Sequence, residues 1–248
     1  MDNSRETVVE IKNLYKSFGD HHVLNGVNLN LYKSENLVVM GKSGTGKSVL
    51  IKCLVGLITP DKGDVSILGK KLNHLTTKDW DALRSEVGFL FQGGALYDSM
   101  SVRENLEFPL RHHREKFGVI KDTTPRVMAA LESVGLANTI DLMPKELSGG
   151  MQKRVALART LILEPKIILY DEPTTGLDPI TSREIVELIG KVQHTYGTSS
   201  IIITHDIDCA KVISDRVVLL LDGINYTEGS FNDLYNAKDP RIAAFFKK

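Results

Sequence analysis

An α/β fold built on a mostly parallel, buried sheet is what this sequence predicts, and three observations predict it. Short β-branched apolar runs alternate with longer stretches of helical period along most of the 248 residues. The runs are of two kinds: some alternate in polarity, as strands with one wet face do, and others are apolar throughout, as strands buried on both faces are. From about Gln92 to Glu164 no buried strand is readable, which marks a helical insert.

The elements follow in order. The alternating runs "VVEIKNL" (Val8–Leu14), "VNLNLY" (Val27–Tyr32) and "DVSILG" (Asp64–Gly69) read as an antiparallel β piece. "LVVM" (Leu37–Met40) is a buried strand that leads through a glycine-rich loop into the helical pattern "SVLIKCLVGL" (Ser48–Leu57). Within the insert, "PRVMAALESVGL" (Pro125–Leu136) is a helix, and so is the Ala/Leu/Arg-rich stretch that follows the glycines of "LSGGMQKRVALAR" (Leu147–Arg159). "KIILYD" (Lys166–Asp171), "SIIIT" (Ser200–Thr204) and "VVLLL" (Val217–Leu221) complete the buried strands, and "DPRIAAFF" (Asp239–Phe246) reads as an amphipathic closing helix. No repeat or Gly/Ser linker interrupts the chain, so residues 1–248 are expected to form one unit with a helical subdomain at about 92–164.

Bulk properties exclude some classes. Lys+Arg and Asp+Glu number 31 each, so no net field draws the chain to nucleic acid or an anionic bilayer. Cys53 and Cys209 sit among apolar residues, which suits buried thiols in a reducing compartment and no disulfide framework. The opening "MDNSRETVVE" lacks the basic and apolar regions of a secretory leader. The longest apolar runs are strand-sized, so work at a membrane would require another chain to cross it. His21, His22, His112 and His113 have no ligand spacing, and "RHHREK" (Arg111–Lys116) reads as a solvated helix face.

The chemistry is concentrated at strand ends. "GKSGTGKS" (Gly41–Ser48) matches G-x-x-x-x-G-K-[ST] and lies between a buried strand and a helix, the context that the phosphate-binding loop requires. Gly41, Ser43, Gly44, Thr45 and Gly46 let successive amides face a nucleotide's β-phosphate, Lys47 bridges β- and γ-phosphates, and the Ser48 hydroxyl ligates Mg²⁺. At the end of "IILYD", Asp171 is placed to face Mg²⁺, and Glu172 to polarise an attacking water. His205 and Gln92 end two further apolar runs, where ligands of open α/β sheets bind. The Gln92 amide can reach both Mg²⁺ and the nucleophilic water. "LSGG" (Leu147–Gly150) opens a second helix with flexible amides at its positive end, a second anion site far from the first in sequence.

Together, "LSGGM", the phosphate loop, "IILYDE", "TTGLD" (Thr174–Asp178), Gln92 and His205 resemble the ATP-binding-cassette ATPases in order and spacing, over essentially the whole chain. The resemblance implies a P-loop NTPase with a RecA-like core, an antiparallel β subdomain and a helical signature subdomain. It also implies a head-to-tail dimer with a second copy, sandwiching two ATP. Ser148, Gly149 and Gly150 would then contact the γ-phosphate held by the partner, and Asp178 would sit in the loop joining the two sites. Gln92 would sense a permease, Glu172 would be the general base and His205 the γ-phosphate switch. Phe18, in "KSFG", falls where such ATPases stack an aromatic on adenine, ahead of Tyr15, three residues earlier.

The run "FQGGALYDSMSVRENLEFPLRHH" (Phe91–His113) resembles the ATPase subunits of Mla/Mce-type phospholipid transporters, as does Met151 in place of the usual glutamine. That implies an integral membrane permease as partner, phospholipid as the indirect cargo, no nucleic acid, and a place on the cytoplasmic face of a bacterial inner membrane. Ala95, Leu96, Tyr97, Phe108, Pro109 and Leu110 would offer the permease an apolar groove, with Leu96 and Tyr97 the leading contacts and Phe108 and Leu110 at least as suited to the core. The alternatives are an amino-acid or metal importer, or a non-transport cassette serving cell division or iron–sulfur assembly.

Overall fold

The computed structural model describes residues 5–246, so Met1–Ser4, on which part of the leader reading falls, lie outside the described residues. Its centre is a six-stranded sheet in the order β10-β9-β3-β8-β7-β6. These strands are β3 (Asn36–Met40), β6 (Val87–Leu90), β7 (Ile167–Asp171), β8 (Ser199–Thr204), β9 (Arg216–Leu221) and β10 (Ile224–Gly229), all parallel except β10, which pairs antiparallel with β9. The continuous apolar runs are explained by what covers them. Val38 and Met40 of β3 face the helical side, as do Ile202, Val217 and Leu219. Leu37 and Val39 face the opposite layer with Ile201, Ile203, Val218 and Leu220. Each face of the sheet is dry, so neither set of alternate residues can be polar.

The opposite layer is the antiparallel sheet β2-β1-β4-β5, formed by β1 (Thr7–Phe18), β2 (His21–Tyr32), β4 (Lys62–Ile67) and β5 (Lys70–Lys71). Here the sequence reading fell short: β1 and β2 run on through the polar residues "YKSF" and "HHVLN" as a hairpin that turns at Gly19. Cross-strand pairing, such as Phe18 against His21, sustains strand where polarity alone says loop. Further elements were not anticipated, and two of them border the sheets. They are α2 (Thr77–Glu86), held by a capping box between Thr76 and Asp79, and β10, an edge strand with mixed exposure.

Among the described residues, the segment between β6 and β7 holds helices only. They are α3 (Val102–His112), α4 (Arg114–Phe117), α5 (Thr124–Ser133) and α6 (Gly149–Leu161), with short 3₁₀ turns. Val102, Leu106, Val127, Leu131, Val155 and Leu157 join the same apolar cluster as the sheet's helical face, so the insert is packed on the core. The remaining helices are α1 (Lys47–Leu54), α7 (Pro179–Tyr196), α8 (Ile207–Ile213), α9 (Phe231–Tyr235) and α10 (Pro240–Phe246). Cys53 and Cys209 are buried and unpaired, and burial pushes their thiols up to about 11 and about 12.

Candidate functional site

Because β3, β6, β7 and β8 are parallel neighbours, their carboxyl ends meet along one edge of the sheet. Residues that follow those ends are thereby brought together: the loop after Met40, Gln92 after β6, Glu172 after β7 and His205 after β8. With the loop they line an open cavity of about 890 Å³.

The loop from Gly41 feeds α1 through Gly46, whose φ of +94° is left-handed; a Cβ there would also lie 2.9 Å from Val23 Cγ1. No side chain caps α1 and its first turn holds no acid, whereas Thr76, Ser101, Ser148, Asp178, Asp206 and Ser230 cap other helices. The first amides of α1 thus remain available to an anion. Lys47 is buried and folds back on the loop, its Nζ donating to the carbonyls of Gly41 (2.9 Å) and Lys42 (3.0 Å). Burial lowers its pKa, and the nearby Glu172 and Asp171 carboxylates oppose that.

At the floor, the Ser48 hydroxyl donates to Asp171 Oδ1 at 2.9 Å. Burial raises the Asp171 pKa against that hydrogen bond, and the neighbouring Glu172 charge raises it further. A buried carboxylate beside a hydroxyl, with the Gln92 amide on the same cavity wall, is a set of hard oxygen donors that fits a small divalent cation such as Mg²⁺.

Glu172 is buried with a left-handed φ of 49°, a conformation that costs a glutamate roughly 1–3 kcal/mol. Its amide donates to Ile203 O at 2.9 Å, which locks the turn to β8. The carboxylate accepts from His205 Nδ1 at 2.8 Å and Thr175 Oγ1 at 3.3 Å, and lies 3.9 Å from Lys47 Nζ. Because a carboxylate only accepts, Nδ1 of His205 carries a proton in this contact. Phe18, half-exposed at the end of β1, lines the same cavity with Val23, and Lys16 Nζ lies 5.4 Å from its ring centre. Tyr15 is turned away toward Gly26 and is not on the cavity wall.

Among the residues that sequence reasoning missed are one on the cavity wall and one that holds Gln92. Phe245 of α10 lines the cavity opposite the core packing of Ile242 and Phe246, and its period in "RIAAFF" reads as ordinary core. Lys153 is buried on α6 and donates to the Gln92 carbonyl. Burial lowers its pKa, while the Asp171 and Glu172 charges favour the ammonium. A signal for Lys153 existed: it falls on the stripe Gly150, Lys153, Leu157, Leu161, all buried at helical spacing.

Other residues singled out from the sequence lie elsewhere. Thr45 is spent within the loop, its hydroxyl donating to Lys42 O at 2.9 Å. Ser148 and Gly149 are exposed and, like Gly150, absent from the cavity wall. Ser148 caps α6, its Oγ accepting from the Met151 amide at 3.3 Å. A Cβ on Gly150 would overlap the Thr181 side chain, so this turn packs against the start of α7. Asp178 caps that helix, accepting from the amides of Ile180 and Thr181 at 3.0 Å each. Tyr97 and Phe108 pack as tilted rings with centres 4.9 Å apart and line a separate groove of about 370 Å³ with Ala95, Pro109 and Arg159. Leu96 is half-buried against the helical core and Leu110 is fully in it, so neither lines that groove.

Comparison with known proteins agrees with this geometry. A family model described as ABC transporter matches residues 24–175. The chain is 35% identical over 243 residues, 98% of its length and 91% of the relative's, to the intermembrane phospholipid transport system ATP-binding protein MlaF of Haemophilus influenzae. It is 34% identical over 252 residues, 96% of its length and 75% of the relative's, to the methionine import ATP-binding protein MetN of Campylobacter jejuni. Among solved structures, the dimeric post-hydrolysis state of the ATP-binding cassette MJ0796, bound to ADP and Pi, superposes with a TM-score of 0.81 at 33% identity, covering 90% of this chain and 98% of that one.

Proposed function

We propose that this chain, which belongs to the ABC transporter family and is an ATP-binding, ATP-hydrolysing subunit of such a transporter, drives phospholipid transport through a membrane permease. In this reading the amides of the Gly41–Gly46 loop and of α1, with Lys47, hold the ATP phosphates, and Phe18 stacks on the base. Ser48, Asp171 and Gln92 would hold Mg²⁺, which supplies charge neutralisation at the β- and γ-phosphates.

Glu172 orients the attacking water and takes its proton as the γ-phosphoryl group leaves. The Thr175 and His205 hydrogen bonds fix that carboxylate, and the other His205 ring nitrogen, Nε2, meets a γ-phosphate oxygen when it too carries a proton to donate. Lys47 exchanges its two loop carbonyls for phosphate oxygens when nucleotide enters. Ser148–Gly150, standing outside their own cavity, serve the γ-phosphate of a second copy, so two chains dimerise head to tail around two ATP. Asp178 reaches that junction from the adjoining turn.

Among the described residues no helix is long and apolar enough to cross a membrane, so the translocation path belongs to the permease. The observation that carries the partner reading is the Tyr97–Phe108 groove, built by the segment that begins at Gln92 in the cavity. An exposed aromatic pair beside a grounded arginine suits a short amphipathic segment of a partner. Phospholipid is favoured by the near full-length likeness to MlaF, and the chain would then sit on the cytoplasmic face of an inner membrane with an Mce-type partner beyond it. The comparable likeness to MetN supports an amino-acid importer as the second reading. Affinity purification from membranes, with identification of co-purifying subunits and lipids, separates them. A permease with an Mce-domain protein and bound phospholipid is the expected result. A solute-importer permease refutes the lipid reading, and the absence of any polytopic partner refutes transport.

A further inference from the structure

The loop Gln92–Met100 leaves the cavity at Gln92 and reaches the groove at Tyr97, and side chains from two helices hold its carbonyls in turn. Lys153 Nζ donates to Gln92 O. Arg159, on the same helix α6, donates to Gly94 O and Ala95 O at 2.9 Å each and to Asn105 Oδ1 at 3.3 Å. Asn105 of α3, fully buried, donates to Tyr97 O at 3.1 Å and Met100 O at 3.0 Å, and its Oδ1 accepts from the Tyr97 amide at 2.9 Å. Gly94 and Ala95 are both left-handed, with φ of 74° and 50°, which turns two successive carbonyls toward one guanidinium. At Ala95 that conformation is strained, and it persists only where neighbours over-determine it.

We propose that Lys153 and Arg159 are positioning residues that clamp this loop to α6, so that Gln92 moves into or out of the cavity together with the helix that begins at Ser148–Gly150. The physical argument is one of stiffness. Hydrogen bonds from charged donors are roughly twice as strong as neutral ones, and Lys153 is buried while Arg159 is partly so. The charges of Asp171 and Glu172 also favour the Lys153 ammonium, so the donor that holds the loop is stabilised by the carboxylates of the floor. A displacement of α6 by the γ-phosphate on its N-terminal turn would be carried to Gln92 through Lys153 and to the groove through Arg159. Without the clamp, both ends could engage without informing each other.

The inference rests on the reading that Gln92 serves hydrolysis, and the experiment tests the two apart. Full-length Lys153→Met, Lys153→Arg and Gln92→Ala chains are compared for ATP affinity, kcat and amide hydrogen exchange without nucleotide. For Lys153→Met the expected result is a kcat lowered about tenfold or more, an ATP dissociation constant within about threefold of the parent, and exchange about tenfold faster confined to Gln92–Met100. Lys153→Arg recovers most of both changes, because the donor and charge persist. If Lys153→Met proves insoluble, Lys153→Leu, which also lacks a donor, replaces it with the same expectations. Parental exchange in the loop, or a loss of ATP affinity and melting temperature with kcat per folded chain intact, overturns the clamp. Parental kcat in Gln92→Ala overturns the reading of Gln92 on which it rests.

Discussion

Replacing Glu172 by glutamine tests the assignment of the general base more sharply than any truncation, because the structure says what the amide keeps. It keeps the volume and the strained φ of 49°, which the Ile203 hydrogen bond secures through the main chain. It also keeps an acceptor for His205 Nδ1 and Thr175 Oγ1. What it loses is proton affinity and the 3.9 Å attraction to Lys47, which retains Asp171 and two carbonyls. Positioned general bases contribute about 10²–10⁴ in rate, which corresponds to about 3–5 kcal/mol of barrier. Phosphate release by Glu172→Gln should therefore fall by at least about two orders of magnitude. Nucleotide binding should survive: at a ligand concentration of 100 Kd, binding adds about 2.7 kcal/mol to stability. For a chain of this size that raises the melting temperature by about 5–10 °C. The assay is paired: phosphate release and thermal unfolding, each with Mg·ATP, followed by size-exclusion chromatography for a trapped dimer. Phosphate release within about tenfold of the parent would refute Glu172 as the base. Loss of the thermal shift would show instead that its charge holds the nucleotide.

Three other outcomes are expected. A Ser148→Arg chain mixed with a Lys47→Ala chain should form heterodimers with one intact composite site, measured as ATP bound at about one per dimer by equilibrium dialysis; heterodimers that bind none refute the sandwich. Glu86 pairs with Lys116 of α4 at 3.1 Å and Lys166 at 3.0 Å. Burial raises the Glu86 carboxyl pKa, but hydrogen bonds to Lys166 and Lys116 outweigh it, so the folded pKa lies below the ordinary one. The resulting stability is present above the ordinary glutamate pKa of about 4.3 and is lost as pH falls through the depressed value. Glu86→Gln should accordingly lower the melting temperature at neutral pH and flatten its acid limb, and a parallel pH profile would refute the pairing. Tyr170 is fully buried, and among the described residues its hydroxyl makes no hydrogen bond of good geometry, the Ser200 hydroxyl lying close by. Tyr170→Phe should stabilise the chain by about 1 kcal/mol in urea denaturation, and destabilisation would reveal a partner.

The residues legible in the sequence are those whose chemistry is written locally. A glycine loop between an apolar strand and a helix declares itself within about ten residues. Asp171, Glu172, His205 and Gln92 are legible for a related reason: each ends a run apolar enough to be a buried strand, and parallel strands deliver their ends to one edge. The hairpin tip, α2 and β10 were not legible. Their conformation comes from cross-strand pairing, a capping box and an edge position rather than from apolar period. A leucine in an irregular loop looks exposed, and only the packing of that loop on the insert half-buries Leu96.

Lys153 marks the limit of local reading. It lies 61 residues from Gln92, and in a helix rich in arginine and lysine a further cation reads as solvated surface. Its apolar-stripe position becomes evidence only once the stripe is known to face the strand ends. The signature turn is the complementary case, since its sequence advertises an anion site and its own cavity does not include it. Capped by Ser148, wedged against Thr181 through Gly150 and open to the outside, it would on the proposed reading face a ligand held by another molecule. On that reading a single chain carries two half-sites, and the cations of α6 would tie the outward one to the inward one. If Lys153 and Arg159 do that, the same helix that recognises a neighbour's phosphate also sets where Gln92 stands over its own.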